Sequence, residues 1–314
     1  MGARTIRKKT TRKISTTKKA VKLKALDTAR SCGAVAIVYR PSKPEAFRIA
    51  TRTAKYLKAK GYEVFTHSKQ KMIPGTKALK KTDIPLLCLA LVIGGDGTYL
   101  NAIRMLEGEP IPVLGVNLGN LGFLTQTIKS KLISSLNLAL SGKLAVSERL
   151  MLDVTIRRKN KTIERYLALN DVVFERGPVS RLIYMNVRAD DSLVTDLKAD
   201  GLIVSTPTGS TAYNLAAGGP IVQPGIPAIV LTPICPHSLT NRPITLADSQ
   251  EIQLTLSEKS QGAVFMVDGQ READLSSDDV VIIRKATHKH KMLIIPDHTH
   301  FDVLRSKLNF GQRD

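Results

Sequence analysis

No apolar run in this 314-residue chain approaches the length a helix needs to cross a bilayer, the longest being interrupted at Gly94. No apolar segment near the start resembles a secretory signal. Together these absences argue for a soluble, cytoplasmic protein. Cysteine is scarce: Cys32, Cys88 and Cys235 lie far apart with no Cys-x-x-Cys pair, which suits a reducing compartment, and Cys88 reads as a small core residue within an apolar strand. Acid is missing before Asp27, whereas ten basic residues occupy the first 24 positions and supply half of the formal charge of +20. Residues 1–30 are Thr- and Lys-rich with few apolar side chains, so they cannot bury enough surface to order themselves and are expected to form a disordered basic tail. That composition also admits an organellar transit peptide, although no apolar helical stripe runs through it. Its contact with nucleic acid would be nonspecific and salt-sensitive, because no zinc knuckle, aromatic RNA-binding sheet motif or base-reading helix follows.

What is present is the composition of a globular protein, 43% hydrophobic, without long linkers, repeats or low-complexity stretches. Ala34 to Tyr39 reads as a strand, and Ser42-Lys43-Pro44-Glu45 has the Ser-x-x-Glu form of a helix capping box. The helix that follows carries Phe47, Ala50, Ala54 and Leu57 at helical spacing and stops at Gly61, before a strand around Glu63 to Thr66. Further strands are expected at Leu86 to Ile93 and Ile111 to Val116, with a helix through Ala102 and Leu106 between them. Such alternation predicts an α/β domain over 31–147, a Rossmann-like parallel sheet whose ligands bind beyond the carboxyl ends of its strands. From about Arg149 the period becomes two. Short strands at Leu150 to Ile156, Leu169 to Phe174, Leu182 to Val187, Ile252 to Leu256, Ala263 to Val267, Val280 to Ile283 and Met292 to Ile295 predict a β-rich domain over 148–297. Asp268-Gly269 reads as a hairpin turn, and 298–314 as a helical segment returning to the first domain.

The segment Gly94-Gly95-Asp96-Gly97-Thr98, at the end of an apolar strand, has the chemistry of a phosphate site. Glycines admit a polyphosphate to the backbone, and a helix opening at Thr98 would offer amide donors and a positive dipole end. It lacks both the Gly-Lys-Ser/Thr ending of the Walker loop and the spacing of the dinucleotide fingerprint. An aspartate in an anion-binding loop weakens phosphate binding, so chemistry is its expected use, to orient or deprotonate the attacking hydroxyl. A second segment, Asp200 to Asn214, is a strand entering a hydroxyl-rich turn, followed by Gly218-Gly219-Pro220. Such a loop suits a polyhydroxylated, phosphorylated ligand, with Tyr213 offering an aromatic face to a base.

These two segments, together with Gly119 to Phe123 and Asn170-Asp171, resemble the ATP-dependent NAD kinase family in order across Ala34 to Leu308. The resemblance implies a two-domain fold and transfer of phosphate from ATP to the adenosine ribose 2′-hydroxyl of NAD. It further implies Asp96 as catalytic base, Gly94, Gly95, Gly97 and Thr98 at the ATP phosphates, and an NAD site of Asp96, Gly97, Phe123, Asn170, Asp171, Lys198, Asp200, Thr211, Ala212, Tyr213 and Asn214. Lys198 stands where many members have arginine or histidine; it keeps the charge without the planar fork. A divalent cation, Mg²⁺, is expected with ATP, and a homodimer or homotetramer as the assembly. Two alternatives stand beside this reading. One is a diacylglycerol- or sphingosine-type lipid kinase, which shares the Gly-Gly-Asp-Gly-Thr loop but lacks the Ser205 to Asn214 pattern; the other is a nucleic-acid-binding protein using the basic tail. His237 reads as a loop residue, His288 and His290 form no metal constellation, and Asp278-Asp279 reads as a solvated turn.

Overall fold

The computed structural model describes residues 33–177, 182–260, 262–295 and 299–309; the expectations for the basic tail at 1–30 fall outside them. The first half runs β1 (Ala34–Tyr39), α1 (Pro44–Ala59), β2 (Glu63–His67), β3 (Lys77–Leu79), β4 (Leu87–Ile93), α2 (Asp96–Met105), β5 (Val113–Asn117), β6 (Thr127–Ile128), α3 (Leu132–Leu140) and β7 (Ala145–Arg149). Along β1, alternate residues pack on opposite sides of the sheet. Val35, Ile37 and Tyr39 meet Ala46, Ala50, Ala54 and Leu57 of α1, and Ala36 and Val38 share a cluster with Tyr99, Ala102 and Ile103 of α2. A strand covered on both faces has to be apolar at every position, which is why β1 and β4 read as continuous runs rather than alternating ones.

Helix α1 starts later than the capping box suggests. Pro44 occupies its first turn, Lys43 is the extended N-cap, and the Ser42 hydroxyl accepts a hydrogen bond from Arg40 Nε rather than capping the helix. Steric conflict with the proline ring holds the preceding residue out of the helical region, so the helix cannot begin before Pro44.

The second half continues with β8 (Leu152–Arg158), β9 (Lys161–Ala168), β10 (Asp171–Arg176), β11 (Ile183–Ala189), β12 (Ser192–Ala199), β13 (Gly201–Ser205), the one-turn α4 (Tyr213–Ala216), β14 (Ala228–Ile234), β15 (Ile244–Ala247), β16 (Ile252–Leu256), β17 (Ala263–Val267), β18 (Gln270–Leu275) and β19 (Asp279–Lys285). These strands form two antiparallel six-stranded sheets, ordered β15-β14-β13-β10-β17-β18 and β12-β11-β16-β19-β8-β9. One core lies between them, with Leu152, Val154, Val187 and Leu254 from one sheet meeting Val172, Phe174, Leu231 and Phe265 from the other. Burying each such side chain stabilises the sandwich by about 1.5–3 kcal/mol, and a one-residue slip would turn a whole strand's set outward, so the alternation fixes the register.

The chain then returns. β20 (His290–Ile294), grouped by its alternation with the β-rich half, pairs with β5 in parallel and with β7 antiparallel. The first sheet is therefore mixed, ordered β3-β2-β1-β4-β5-β20-β7 with β6 also beside β5. A closing helix, α5 (His300–Leu308), is capped by Thr299, whose side chain accepts from the Asp302 amide. Strand order reverses direction between β1 and β4, which makes their carboxyl ends the ligand crevice of an open α/β sheet, and the Gly94–Thr98 segment leaves from the end of β4.

Candidate active site

Helix α2 begins at Asp96 rather than Thr98, with Gly95 as an extended N-cap that has no side-chain cap. Gly94 is tied to the neighbouring strand by donating to the Val116 carbonyl (2.9 Å). A Cβ there would fall 2.4 Å from Thr98 Oγ1, so glycine is required where the buried Thr98 side chain supports the loop from beneath. Thr98 thus contributes packing, not an exposed hydroxyl. At Gly95 and Gly97 an added Cβ would meet, among the described residues, no atom within 4 Å beyond the adjoining backbone, which leaves open space over the first-turn amides. The Thr98 amide donates back to the Gly95 carbonyl (3.0 Å), and the Asp96 and Gly97 amides ahead of it lie before the first intrahelical bond.

The Asp96 carboxylate is not loose in that space. Oδ1 accepts from the Leu124 amide (3.1 Å), the Thr125 amide (3.0 Å) and Thr125 Oγ1 (2.9 Å), while Oδ2 accepts from the Phe123 amide (2.9 Å). The negative charge that looked anomalous in an anion loop is absorbed by these four donors. Gly122 is dictated by the same contact, since its Cβ would lie 2.2 Å from Asp96 Oδ1. A carboxylate has about four acceptor positions, two on each oxygen. Oδ1 is saturated, and Oδ2 keeps one position for a further donor.

A second corner forms where β9 turns into β10. The amides of Leu169, Asn170 and Asp171 all donate to the Asp268 carboxylate, at 3.0, 2.7 and 3.3 Å. The Thr206 amide donates to the Asn170 carbonyl (2.8 Å) and Thr206 Oγ1 to the Leu169 carbonyl (2.6 Å). Gly209 is pressed so closely on this corner that a Cβ would fall 2.1 Å from the Asn170 oxygen. With its backbone committed, Asn170 keeps its side-chain amide without a protein hydrogen bond among the described residues. Asp171 is 3% exposed, and burial, followed by the charge of Asp268, raises its carboxyl to about 7. Asp268 is raised as well by burial, against the opposing pull of the three amides.

The hydroxyl-rich turn departs from expectation. Ser205, Thr206 and Ser210 are fully buried, and Ser210 Oγ donates to the Pro207 carbonyl (2.7 Å) while accepting from the Val222 amide (3.0 Å). These hydroxyls build the corner instead of facing a ligand, because a buried irregular turn must satisfy its backbone groups with side chains. Asn214 is equally spent: its amide donates to the Ser210 and Pro220 carbonyls (3.0 and 3.1 Å) and its oxygen accepts from Thr232 Oγ1 (2.6 Å). Thr211 and Ala212 remain half-buried at the turn's edge. Tyr213 is 41% exposed and donates to Glu175 Oε1 (2.7 Å), a bond that raises its phenol to about 12. Asp171 acts electrostatically on Tyr213, which places the two in one neighbourhood.

Asp200 pairs with Arg176 Nε (2.9 Å), one residue along β10 from Glu175. Lys198 lies on β12 beside its cross-strand partner Tyr184 of β11, its ammonium 5.4 Å from that ring centroid. Asp279, expected in a solvated turn, is 1% exposed and makes a two-point contact with Arg158, each bond 2.8 Å. His290 is also buried, shares a 2.8 Å hydrogen bond with Tyr99, and is lowered to about 3 chiefly by burial, so it is a neutral core residue. Thr125, Glu175 and Arg176 enter the site without a sequence signal that singled them out. Gly122 lay within the Gly119 to Phe123 motif, and the signal at Asp268 announced only a turn.

A family model described as the ATP-NAD kinase N-terminal domain matches residues 35–144, and one described as the ATP-NAD kinase C-terminal domain matches 169–295. The NAD kinase of Bdellovibrio bacteriovorus is 46% identical over 90% of this chain and 93% of its own length. That of Geobacter sulfurreducens is 40% identical over 89% and 99%. Among solved structures, yeast NADH kinase complexed with NADH superposes with a TM-score of 0.80 at 26% identity, covering 90% of this chain and 89% of its own. An NAD kinase from Archaeoglobus fulgidus in complex with ATP shares the fold, with a TM-score of 0.69 at 23% identity over 88% and 98%. With both family models in sequence order on the two halves, and relatives of this identity along most of its length, the chain belongs to the ATP-dependent NAD kinase family.

Proposed function

We propose that the enzyme transfers the terminal phosphoryl group of ATP to the 2′-hydroxyl of the adenosine ribose of NAD, with Asp96 as general base. The observation that carries this reading is the Asp96 carboxylate, fixed by four donors with one acceptor position left on Oδ2 at the mouth of α2. A held acceptor of this kind can orient a hydroxyl and take its proton. Phosphoryl transfer asks chiefly for alignment and charge stabilisation, which the first-turn amides above Gly95 and Gly97 supply to ATP phosphates. Gly94 and Thr98 brace that loop.

On the acceptor side the Asn170 amide, without a hydrogen bond among the described residues, and the buried Asp171, whose carboxyl burial raises, suit adenosine and its ribose, with Phe123 and Tyr213 as aromatic walls. Thr211, Ala212, Asp200 and Lys198 form the rim, and Asn214 holds the rim in place. Mg²⁺ comes with ATP as part of the substrate, held by phosphates and water as that ion usually is. The NADH and ATP in the two solved relatives support nucleotides as both substrates. The basic surplus helps to draw two anions together.

The enzyme works as a homodimer or homotetramer in the cytoplasm. Supporting the assembly are the exposed Ile226 and Ile244 and the uncovered edge strand β15, a sheet edge that proteins ordinarily cover. Supporting the location, no helix among the described residues is long and apolar enough to cross a membrane. The test is purified protein with ATP, Mg²⁺ and NAD, the product read by an NADP-specific dehydrogenase. NADP formation requiring all three is expected; its absence, with phosphorylation of diacylglycerol or sphingosine, would overturn the reading.

A further inference from the structure

The hairpin joining β17 to β18 is held from two directions. From the acceptor side, Asp268 receives the three amides of Leu169, Asn170 and Asp171, and its own amide donates to the Asp171 carbonyl (3.0 Å). From the donor side, Arg104 of α2 donates through Nη2 to the Val267 carbonyl (3.0 Å) and pairs through Nη1 with Glu272. Gln270 Nε2 donates to Asn101 Oδ1 (3.0 Å), one helical turn before Arg104. The helix so gripped is the one that opens at Asp96. Its nine residues from Asp96 to Arg104 form a stiff rod of about 12 Å.

The turn is built for this duty. Asp268 and Gly269 both have left-handed backbone, with φ of 47° and 75°, the geometry of a tight two-residue hairpin, and the register steps at Glu272, between the Met266–Arg271 and Phe265–Ala273 pairs. Arg104 is suited to gripping it, because a guanidinium presents several donors in one rigid plane and can hold a carbonyl and a carboxylate together.

We propose that this hairpin is the strut that sets the spacing between phosphate loop and acceptor corner, with Arg104 and Asp268 as positioning residues for phosphoryl transfer. The proposal rests on the assignment of Asp96 to the donor side and of Asn170 and Asp171 to the acceptor side. In-line transfer needs the reacting atoms about 3–3.5 Å apart, and a misplacement near 1 Å costs about 10²-fold in rate. Loosening the Arg104 end should therefore lower kcat while each half-site still binds its own substrate, whereas loosening the Asp268 end also disturbs the amides of the acceptor corner and should weaken NAD binding as well.

Arg104→Met keeps the aliphatic stem and removes both hairpin contacts. Its kcat should fall about 10²-fold, with KM for ATP and for NAD each within about threefold of wild type. Arg104→Lys, which restores one donor, should recover part of that loss. Asp268→Asn places an amide group against one of the three N–H donors, and should raise KM for NAD by about tenfold without moving KM for ATP. Arg158→Met is the control. It breaks the two-point contact with Asp279 in the other sheet, and should lower Tm without lowering kcat.

Wild-type kcat in Arg104→Met, or an equal kcat loss in Arg158→Met at matched loss of Tm, would overturn the strut. Should Arg104→Met fail to fold, wild-type kcat in Arg104→Lys together with an unmoved KM for NAD in Asp268→Asn would do the same. Full turnover in Asp96→Asn would instead overturn the assignment of the donor side, a result distinguishable from failure of the strut alone.

Discussion

Replacing Asp96 by asparagine tests chemistry and architecture at once, and the structure shows how to separate them. The asparagine oxygen can take the place of Oδ1, accepting from Leu124, Thr125 and the Thr125 hydroxyl, but its amide then faces the Phe123 N–H where Oδ2 stood at 2.9 Å. Turning the side chain over would leave three donors unmatched instead of one, so the first arrangement prevails. One unsatisfied donor costs about 1–3 kcal/mol, so Asp96→Asn is not neutral for stability although it is nearly isosteric. Removing a general base lowers kcat by about 10²- to 10⁴-fold, equivalent to roughly 3–5 kcal/mol of transition-state stabilisation. Thr125→Val supplies the comparison. It removes one donor from Oδ1 and strands the Asn117 amide that donates to Thr125 Oγ1 (2.9 Å), yet leaves Oδ2 untouched. Single-turnover rates and Tm measured side by side should show both variants destabilised and only Asp96→Asn losing the chemical step. Equal losses of rate in the two would refute the general-base argument and leave Asp96 as a clasp between α2 and the loop at 122–125.

Asn170→Ala and Asp171→Ala should each raise KM for NAD more than KM for ATP in steady-state kinetics; equal damage to both substrates would contradict an acceptor-side role. Asp171 also makes stability depend on pH. Its carboxyl is raised to about 7, whereas an unfolded chain releases that proton near pH 4, at about 3.9, so across this interval the folded state holds a proton the unfolded state has lost. Stability contributed by this group is full at low pH and falls as pH rises toward 7. Asp171→Asn should flatten that part of the Tm-against-pH curve between pH 5 and 8, and parallel curves for variant and wild type would exclude the effect. Light scattering should give a mass of at least twice the 34.3 kDa chain, and a monodisperse, fully active monomer would exclude the assembly.

Where local sequence and burial coincide, structure was legible. Ile252–Leu256 and Ala263–Val267 begin and end as strands where their alternation does, and the run into Gly94 is the central strand β4. The family motifs identified the enzyme, but they did not disclose what each side chain does. Asp96 looked like a group free for chemistry because its four donors come from residues 27 to 29 positions away. Asp268 looked like a turn residue because the amides it gathers lie 97 to 99 positions away. The buried hydroxyls of Ser205 to Ser210 were misread for a related reason: composition records that a turn is polar, and not whether its polar atoms face inward. β20 alternates like its β-rich predecessors, yet pairing with β5 across 179 residues decides its sheet, and no local pattern encodes that. Leu132–Leu140 escaped notice as a helix altogether. Leu132, Leu136 and Ala139 are its buried face at helical spacing, but the exposed Ile133 and Leu138 blur that period.

The chain passes between its two halves twice, and the two passages run side by side. Arg149 at the end of β7 faces His290 at the start of β20, and beyond them the Ala286 amide donates to the Met151 carbonyl (2.8 Å). A single covalent tether would let the β-rich body swivel freely. Two hydrogen-bonded tethers behave as a ribbon, stiff in its plane and compliant only across it, so the relative motion left to the two halves is a bending about one axis.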